Sequence, residues 1–203
     1  MHTYYCINMI MITLRNALCI IGLMVILPFL LIASLMILFE DGFPVFFVQK
    51  RIGMSKKIFK IFKIRTMKKN TPELGTHDVD KTFELKTGKI IRALKLDEFP
   101  QLINVLKGEL NLVGPRPGLE TQIELKNARI AKDIFSVKPG ITGLSQILGY
   151  NMSDPYKLAE IDKIFIMNQS VFLEIMILFG TFFNYPRNYI SSKYKIKIMK
   201  NSF

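Results

Sequence analysis

Residues 17–39 form a run of 23 without one charged side chain, and this run restricts the fold more than any other feature of the chain. As an α-helix it would be about 34 Å long, against a hydrocarbon core of about 30 Å. Residues 1–39 carry a single charge, Arg15, while every acidic residue and every other lysine and arginine lies from Glu40 onward. A signal peptide would want a basic start, a shorter apolar stretch and a small-residue cleavage site. Only Arg15 precedes the run, and Ile32-Ala33-Ser34 is a poor site, so a membrane helix is the expectation. Pro28 stands at its middle, where proline removes a backbone hydrogen bond and bends the helix. The run therefore reads either as two halves, Ala17–Leu27 and Phe29–Phe39, that dip into the membrane and return, or as one spanning helix. Lys50, Arg51, Lys56, Lys57, Lys60, Lys63 and Arg65 follow closely and, by the positive-inside tendency, stay in the cytoplasm.

The formal net charge of +12 admits nucleic acid, an anionic membrane surface or anionic small substrates as partners. No nucleic-acid reader fold is recognisable, so nucleic acid is not expected. Cys6 and Cys19 have no metal-ligand spacing, and His2 and His77 are far apart. There is no Ser-His-Asp or Cys-His set, no Walker loop and no dinucleotide fingerprint.

Past the run the chain reads as α+β: a mostly helical small domain with a β-hairpin and interfacial amphipathic helices. The expected segments are a membrane-embedded helix over 1–40, a catalytic domain over 41–183 and a basic tail over 184–203. Phe43–Val48 and Ile58–Met67 read as strands joined by a basic turn with Gly53 and Ser55. The stretch 70–87, with Pro72 and Gly75, reads as a loop, and Gly88–Leu94 as a short helix. Asp97 is placed to cap a second helix whose first turn holds Glu98 and Pro100. Its apolar face would be Phe99, Leu102, Ile103 and Leu106, and Gly108 would end it. Pro155–Asn168 reads as an amphipathic helix opened by Ser153 and Asp154. Val171–Phe183 is too short to span a bilayer, so it is core or lies in the interface. The basic tail would rest on anionic lipid or be disordered.

Two adjacent carboxylates, Asp97 and Glu98, are thus expected at a helix opening. Lys89, Arg92 and Lys95 precede them and Lys107 follows. A rigid turn comes next, Val113-Gly114-Pro115-Arg116-Pro117-Gly118. Prolines on both sides fix the backbone of Arg116, which suits a forked guanidinium contact with phosphate. A second turn, Lys138-Pro139-Gly140-Ile141-Thr142-Gly143, leaves room for backbone amides to approach an anion.

With these residues in view, the chain resembles the small monotopic phosphoglycosyl transferases of the bacterial sugar transferase family. The matching stretches are PVFFVQKRIG (44–53), FKIFKIRTM (59–67), KLDEFPQLINVLKGELNLVGPRP (95–117) and KPGITGLSQILG (138–149), with a weaker match at EIDKIFIMNQS (160–170). The resemblance runs from about Arg15 to about Phe183. It implies a ping-pong route in which an aspartate attacks the β-phosphate of a UDP-sugar, releases UMP and passes the phosphosugar to polyprenol phosphate. The family dyad falls on Asp97 and Glu98, which would also hold Mg2+. Arg92 and Arg116 match family basic residues, so phosphate binding is expected of Lys89, Arg92 and Arg116, with Pro115 and Pro117 holding the last in place. The family's re-entrant membrane helix breaks at Ser-Pro; here Pro28 is kept and Leu27 replaces the serine. Other departures are Lys95 for serine, Tyr150 for arginine, Ile164 and Phe165 for a tyrosine pair, and Pro155 for tryptophan. The K-L-D-E and N-M-S-D-P readings resemble a subgroup that handles N-acetylated amino sugars.

The implied partners are a UDP-sugar, polyprenol phosphate, membrane lipid and downstream glycosyltransferases. The implied place is the bacterial inner membrane, with the catalytic domain on its cytoplasmic face. The rivals are a membrane-tethered basic binding or scaffold protein without catalysis, which would have no need of Asp97-Glu98, and a transferase fold that has lost activity, against which intact Asp97, Glu98 and Arg116 argue.

Overall fold

The computed structural model describes residues 2–72 and 79–200. Residues 73–78, the centre of the expected loop and the site of His77, lie outside the described residues. The elements in chain order are α1 (His2–Asp41), β1 (Phe46–Ile52), β2 (Ile58–Ile64), α2 (Lys86–Ala93), a 3₁₀ segment (Leu96–Gln101), α3 (Leu102–Leu106), β3 (Asn111–Val113), α4 (Ile123–Ala131), β4 (Gly140–Thr142), α5 (Leu144–Ile147), α6 (Pro155–Met167), α7 (Val171–Phe182) and α8 (Asn184–Lys200). The α+β reading and the β1-β2 hairpin hold, with the first strand lying further along the chain than expected. Contacts divide the chain into two compact units, Met1–Gln49 with Ile61–Gly108, and Lys50–Lys60 with Glu109–Phe203.

The first unit is built on α1. Among the described residues this is the one helix long and apolar enough to cross a membrane. Only one stripe of it is packed. Cys19, Leu30, Ala33 and Ile37 are buried, and Ile26 packs against the same core as Leu30. Gly22 completes the stripe: a Cβ there would lie 3.5 Å from Leu102. The spacing of three and four residues is that of one helix face. Leu27, Phe29, Leu31, Ile32 and Leu35 on the other faces are each more than half exposed. Only 17% of its most apolar window is buried, so α1 is not the core helix of a water-soluble fold, and it gives the protein a membrane-facing surface. The helix runs through Pro28 without interruption.

The stripe packs against Ile64 of β2, Leu85, Ile91 of α2, and Leu96 and Phe99 of the 3₁₀ segment. The end of α1 is tied down by charge. Glu40 accepts from the amides of Lys86 (2.7 Å) and Thr87 (2.9 Å), the first residues of α2. It serves as their cap from a distant part of the chain, since Leu85 at the cap position has no side-chain acceptor. Asp41 pairs with Arg65, which also donates to the Gly42 carbonyl at 2.6 Å.

The second unit has a parallel pair, β3 and β4, in register Asn111↔Gly140 and Val113↔Thr142. The expected turn over 138–143 is therefore largely a strand. Its core joins Val113, Leu144, Ile147, Ile161, Phe165, Leu173, Ile177, Ile190 and Tyr194. α6 begins as expected, with the Asp154 side chain accepting from Lys157 N and Pro155 in the first turn. α7 buries Leu173, Ile177 and Gly180 and exposes Phe172, Phe179 and Phe182. The basic segment after it is not a disordered tail. It forms α8, because Ile190 and Tyr194 bury against the core and Arg187 donates to the Gly180 carbonyl at the end of α7 (3.0 Å).

Two glycines make the closest crossing in this unit. A Cβ on Gly140 would sit 2.1 Å from the Gly114 nitrogen, and one on Gly143 would sit 2.3 Å from the Gly114 oxygen. Both obstacles are backbone and cannot swing aside. Gly149, at φ +82, has nothing within 4 Å of its would-be Cβ. We expect Gly140→Ala to cost about 4 kcal/mol or more and Gly149→Ala only about 1 kcal/mol, from its left-handed backbone. Thermal unfolding of the detergent-solubilised variants checks this, and equal effects would contradict the crossing.

Candidate active site

Asp97 and Glu98 lie in the 3₁₀ segment Leu96–Gln101 of the first unit. The expected cap geometry is corrected here. Lys95, in a left-handed conformation at φ 56, occupies the cap position, and Asp97 sits one residue inside the segment. The left-handed turn at Lys95 explains this. The Lys95 carbonyl, two residues after α2 ends, accepts from Glu98 N at 3.3 Å, a bond three residues long, so the chain enters a 3₁₀ turn ahead of Asp97 and the α-helix proper starts only at Leu102. Asp97 is thus not at the cap position. The buried face is also corrected: Pro100, Gln101, Leu102, Asn104 and Val105 are buried while Ile103 is exposed. Asn104 is inside because its Oδ1 accepts from Phe62 N of β2 at 3.3 Å. Gly108 ends the segment at φ 75, as its place predicts.

The dyad's surroundings are basic. Lys63 Nζ of β2 donates to Glu98 Oε1 at 3.0 Å, with both side chains more than four-fifths buried. The alternation of β2 points Lys63 there, and sequence reasoning had counted it only among the topogenic charges. Arg92 of α2 is half-buried, its Nε on Thr66 Oγ1 (2.8 Å) and its Nη1 on Glu84 Oε1 (3.1 Å). A guanidinium has five donors, so Arg92 keeps capacity for an anion. Lys89 is exposed on the same helix. α2 sits tight against the segment that follows β2, since a Cβ on Gly88 would fall 2.2 Å from Thr66 O.

Arg116 belongs to the second unit, with Pro115 and Pro117. From Val113 to Leu119 every residue is buried except Arg116. The loop is pinned by its backbone: Gly114 N donates to Thr142 O (2.9 Å), Gly140 N to Pro115 O (3.0 Å) and Ile52 N to Gly118 O (3.0 Å). Arg51 adds a side-chain donor, Nη1 to Pro117 O at 3.1 Å. The result is an arginine held out from a buried, backbone-fixed loop, the arrangement that its two prolines suggested.

Beneath the loop lies a buried ion pair that sequence reasoning missed. Arg129 of α4 donates through Nε (3.0 Å) and Nη2 (2.7 Å) to Asp162 Oδ2 of α6. A Cβ on Gly118 would come 3.5 Å from Arg129 Nη1. Burial pushes the Asp162 carboxyl up and the Arg129 guanidinium pulls it back. Two departures from the family pattern, Ile164 and Phe165, are core residues of α6, so they bear on packing.

Among the described residues no group of three or more His, Cys, Asp or Glu side chains could hold a metal ion. Asp97 and Glu98 offer two hard carboxylate donors, which fits Mg2+ held jointly with substrate phosphates but not an all-protein cage.

The bacterial sugar transferase family model matches residues 8–188. The uncharacterized sugar transferase EpsL of Bacillus subtilis (strain 168) is 45% identical over 137 residues, covering 68% of this chain and 67% of that protein. A UDP-N-acetylgalactosamine-undecaprenyl-phosphate N-acetylgalactosaminephosphotransferase of Aeromonas hydrophila is 36% identical over 162 residues, covering 76% of this chain and 38% of that protein. A UDP-glucose:undecaprenyl-phosphate glucose-1-phosphate transferase of Caulobacter vibrioides is 38% identical over 126 residues, covering 60% and 47%. The chain thus spans less than half the length of the two relatives whose names state a reaction. A helical α+β fold, an apolar helix with one packed stripe and a carboxylate dyad amid basic residues describe a membrane-associated transferase. The chain belongs to the bacterial sugar transferase family.

The buried pair makes a prediction. Arg129→Met leaves Asp162 buried without its cation and should cost about 3–5 kcal/mol. The orphaned carboxyl then has its pKa raised further above the unfolded value. The variant should therefore be least impaired at low pH and lose stability as pH rises. Arg129→Met combined with Asp162→Leu should regain most of the loss. Unfolding midpoints at pH 5 and pH 8 check both statements.

Proposed function

We propose that the protein transfers a sugar-1-phosphate from a UDP-sugar to polyprenol phosphate, the first membrane step in assembling a glycan. The observation that carries the reading is the Asp97-Glu98 dyad one residue inside a 3₁₀ segment, within the region matched to the family. Asp97 Oδ attacks the β-phosphorus, the bond from that phosphorus to the bridging oxygen breaks, and UMP leaves. A phosphate oxygen of polyprenol phosphate then attacks the same phosphorus, the bond to Asp97 breaks, and polyprenol diphosphate sugar forms with Asp97 restored. Glu98 is held by Lys63 and works beside the nucleophile in proton handling and metal binding. Mg2+, bound by Asp97 and Glu98 together with the diphosphate, would lower the repulsion between carboxylate and substrate. Arg92 and Lys89 of the first unit are candidates for binding phosphate, and so, separately, is Arg116 of the second. The names of the Aeromonas and Caulobacter relatives support the donor and acceptor classes. The Aeromonas name and the K-L-D-E reading support an N-acetylated amino sugar.

The packed stripe supports a placement of the protein at the membrane interface. One stripe of α1, from Ile26 to Ile37, packs against β2, α2 and the 3₁₀ segment, the elements that carry Lys63, Lys89, Arg92, Asp97 and Glu98. Charged elements beside a straight span would be carried into hydrocarbon, at a cost of several kcal/mol each. A shallow, re-entrant placement, for which α1 would have to bend at Pro28 in the membrane, would keep them at the cytoplasmic interface of the inner membrane. On the second unit, the exposed phenylalanines of α7 are side chains of a kind suited to a membrane interface. Released polyprenol diphosphate sugar would pass to downstream glycosyltransferases.

Two experiments test these statements. With a panel of UDP-sugars and polyprenol phosphate, wild-type membranes should release UMP, chelator should stop it and magnesium restore it. Asp97→Asn should fold and release essentially none. Near wild-type turnover by Asp97→Asn would overturn the covalent route. For topology, Cys6 should resist a membrane-impermeant thiol reagent in intact spheroplasts and react after lysis, with Ser202→Cys as the cytoplasmic control. Labelling of Cys6 from outside, with Ser202→Cys protected, would show a spanning α1.

A further inference from the structure

The Pro115–Gly118 loop cannot hold itself. Pro115 and Pro117 have no N–H, so the loop's own donors are few and its buried carbonyls must be satisfied from outside. The donors come from two places. Gly140 supplies Pro115 O. The hairpin tip supplies the other side, with Ile52 N on Gly118 O at 3.0 Å and Arg51 Nη1 on Pro117 O at 3.1 Å. Of these donors only Arg51 is a side chain, and it is 8% exposed. Its charge lies next to the residue that follows Arg116. A charged donor to a carbonyl makes a stronger bond than a neutral one and tolerates burial better when so engaged.

We propose that Arg51 is a positioning residue: it fixes the carbonyl of Pro117 and thereby sets the angle at which Arg116 meets the substrate phosphate. The inference rests on the reading that Arg116 binds that phosphate. In this role Arg51 acts on the substrate phosphate through the loop that carries Arg116. Loss of the bond lets the loop tilt, so ground-state and transition-state binding weaken together and KM rises more than kcat falls.

The test is a double-mutant cycle of Arg51→Met and Arg116→Ala, read as UMP release against UDP-sugar concentration. Arg51→Met alone should raise KM about tenfold, the factor expected for one hydrogen bond to a charged group, with kcat changed far less. In the Arg116→Ala background the same substitution should change KM by less than about twofold, because there is no longer a guanidinium to aim. Arg51→Lys, which keeps the charge and one donor, should recover part of the KM. If Arg51→Met does not fold, the cycle is run with Arg51→Lys, whose smaller rise should vanish in the Arg116→Ala background in the same way. Undiminished effects of Arg51 in that background, or a loss confined to kcat, would overturn the positioning role. If Arg116→Ala has wild-type kinetics, the assignment of Arg116 itself fails, which is a different result from additivity.

Discussion

The packed stripe of α1, from Cys19 through Gly22, Ile26, Leu30 and Ala33 to Ile37, is the contact on which the first unit depends. A helix that is apolar on every face has no preferred side in lipid. It acquires one here because small and medium side chains at three- and four-residue spacing admit β2, α2 and the dyad segment closely. Burial of such a stripe removes apolar surface from water at about 25 cal/mol per Å², and it brings the dyad against the membrane helix. Glu40 and Asp41 then convert the end of that helix into a fixed point, one taking the orphan amides of α2 and the other Arg65. Membrane attachment and dyad placement are therefore one piece of packing.

The second unit solves a different problem. Its Arg116 loop is rich in glycine and proline, which removes side chains where backbones must cross and removes donors where carbonyls are buried. The crossing of Gly114 with Gly140 and Gly143 supplies rigidity, and donors from the hairpin tip complete the hydrogen bonding. Such a loop loses little entropy on meeting an anion, because it is already ordered. The ion pair of Arg129 and Asp162 lies behind Gly118 and keeps a cation close without presenting it to solvent.

Much of this was legible in the residues. The apolar run, the hairpin, the caps at Asp154 and Gly108 and the isolation of Arg116 between prolines all follow from local rules: charge exclusion, strand patterning, capping chemistry and a fixed φ. What escaped were long-range partners. Asp97 looked like a cap because Asp usually is one at such a place, but the left-handed Lys95 starts the turn two residues earlier. Asn104 was placed on no face because its burial depends on Phe62, far away in the chain. The basic stretch after Phe183 looked like a tail because its few apolar residues have value only where α7 offers them a groove.

By itself the sequence determined the existence of a membrane-facing helix, the carboxylate pair, the rigid arginine loop and the family, since each is a property of neighbouring residues or of a motif read in order. Tertiary structure alone decided which stripe of α1 is packed, that Lys63 holds Glu98, that Glu40 caps α2, and that Arg51 and Arg129 lie around the Arg116 loop. Those pairings join residues tens of positions apart. Their strength comes from burial and geometry, which a linear pattern does not encode.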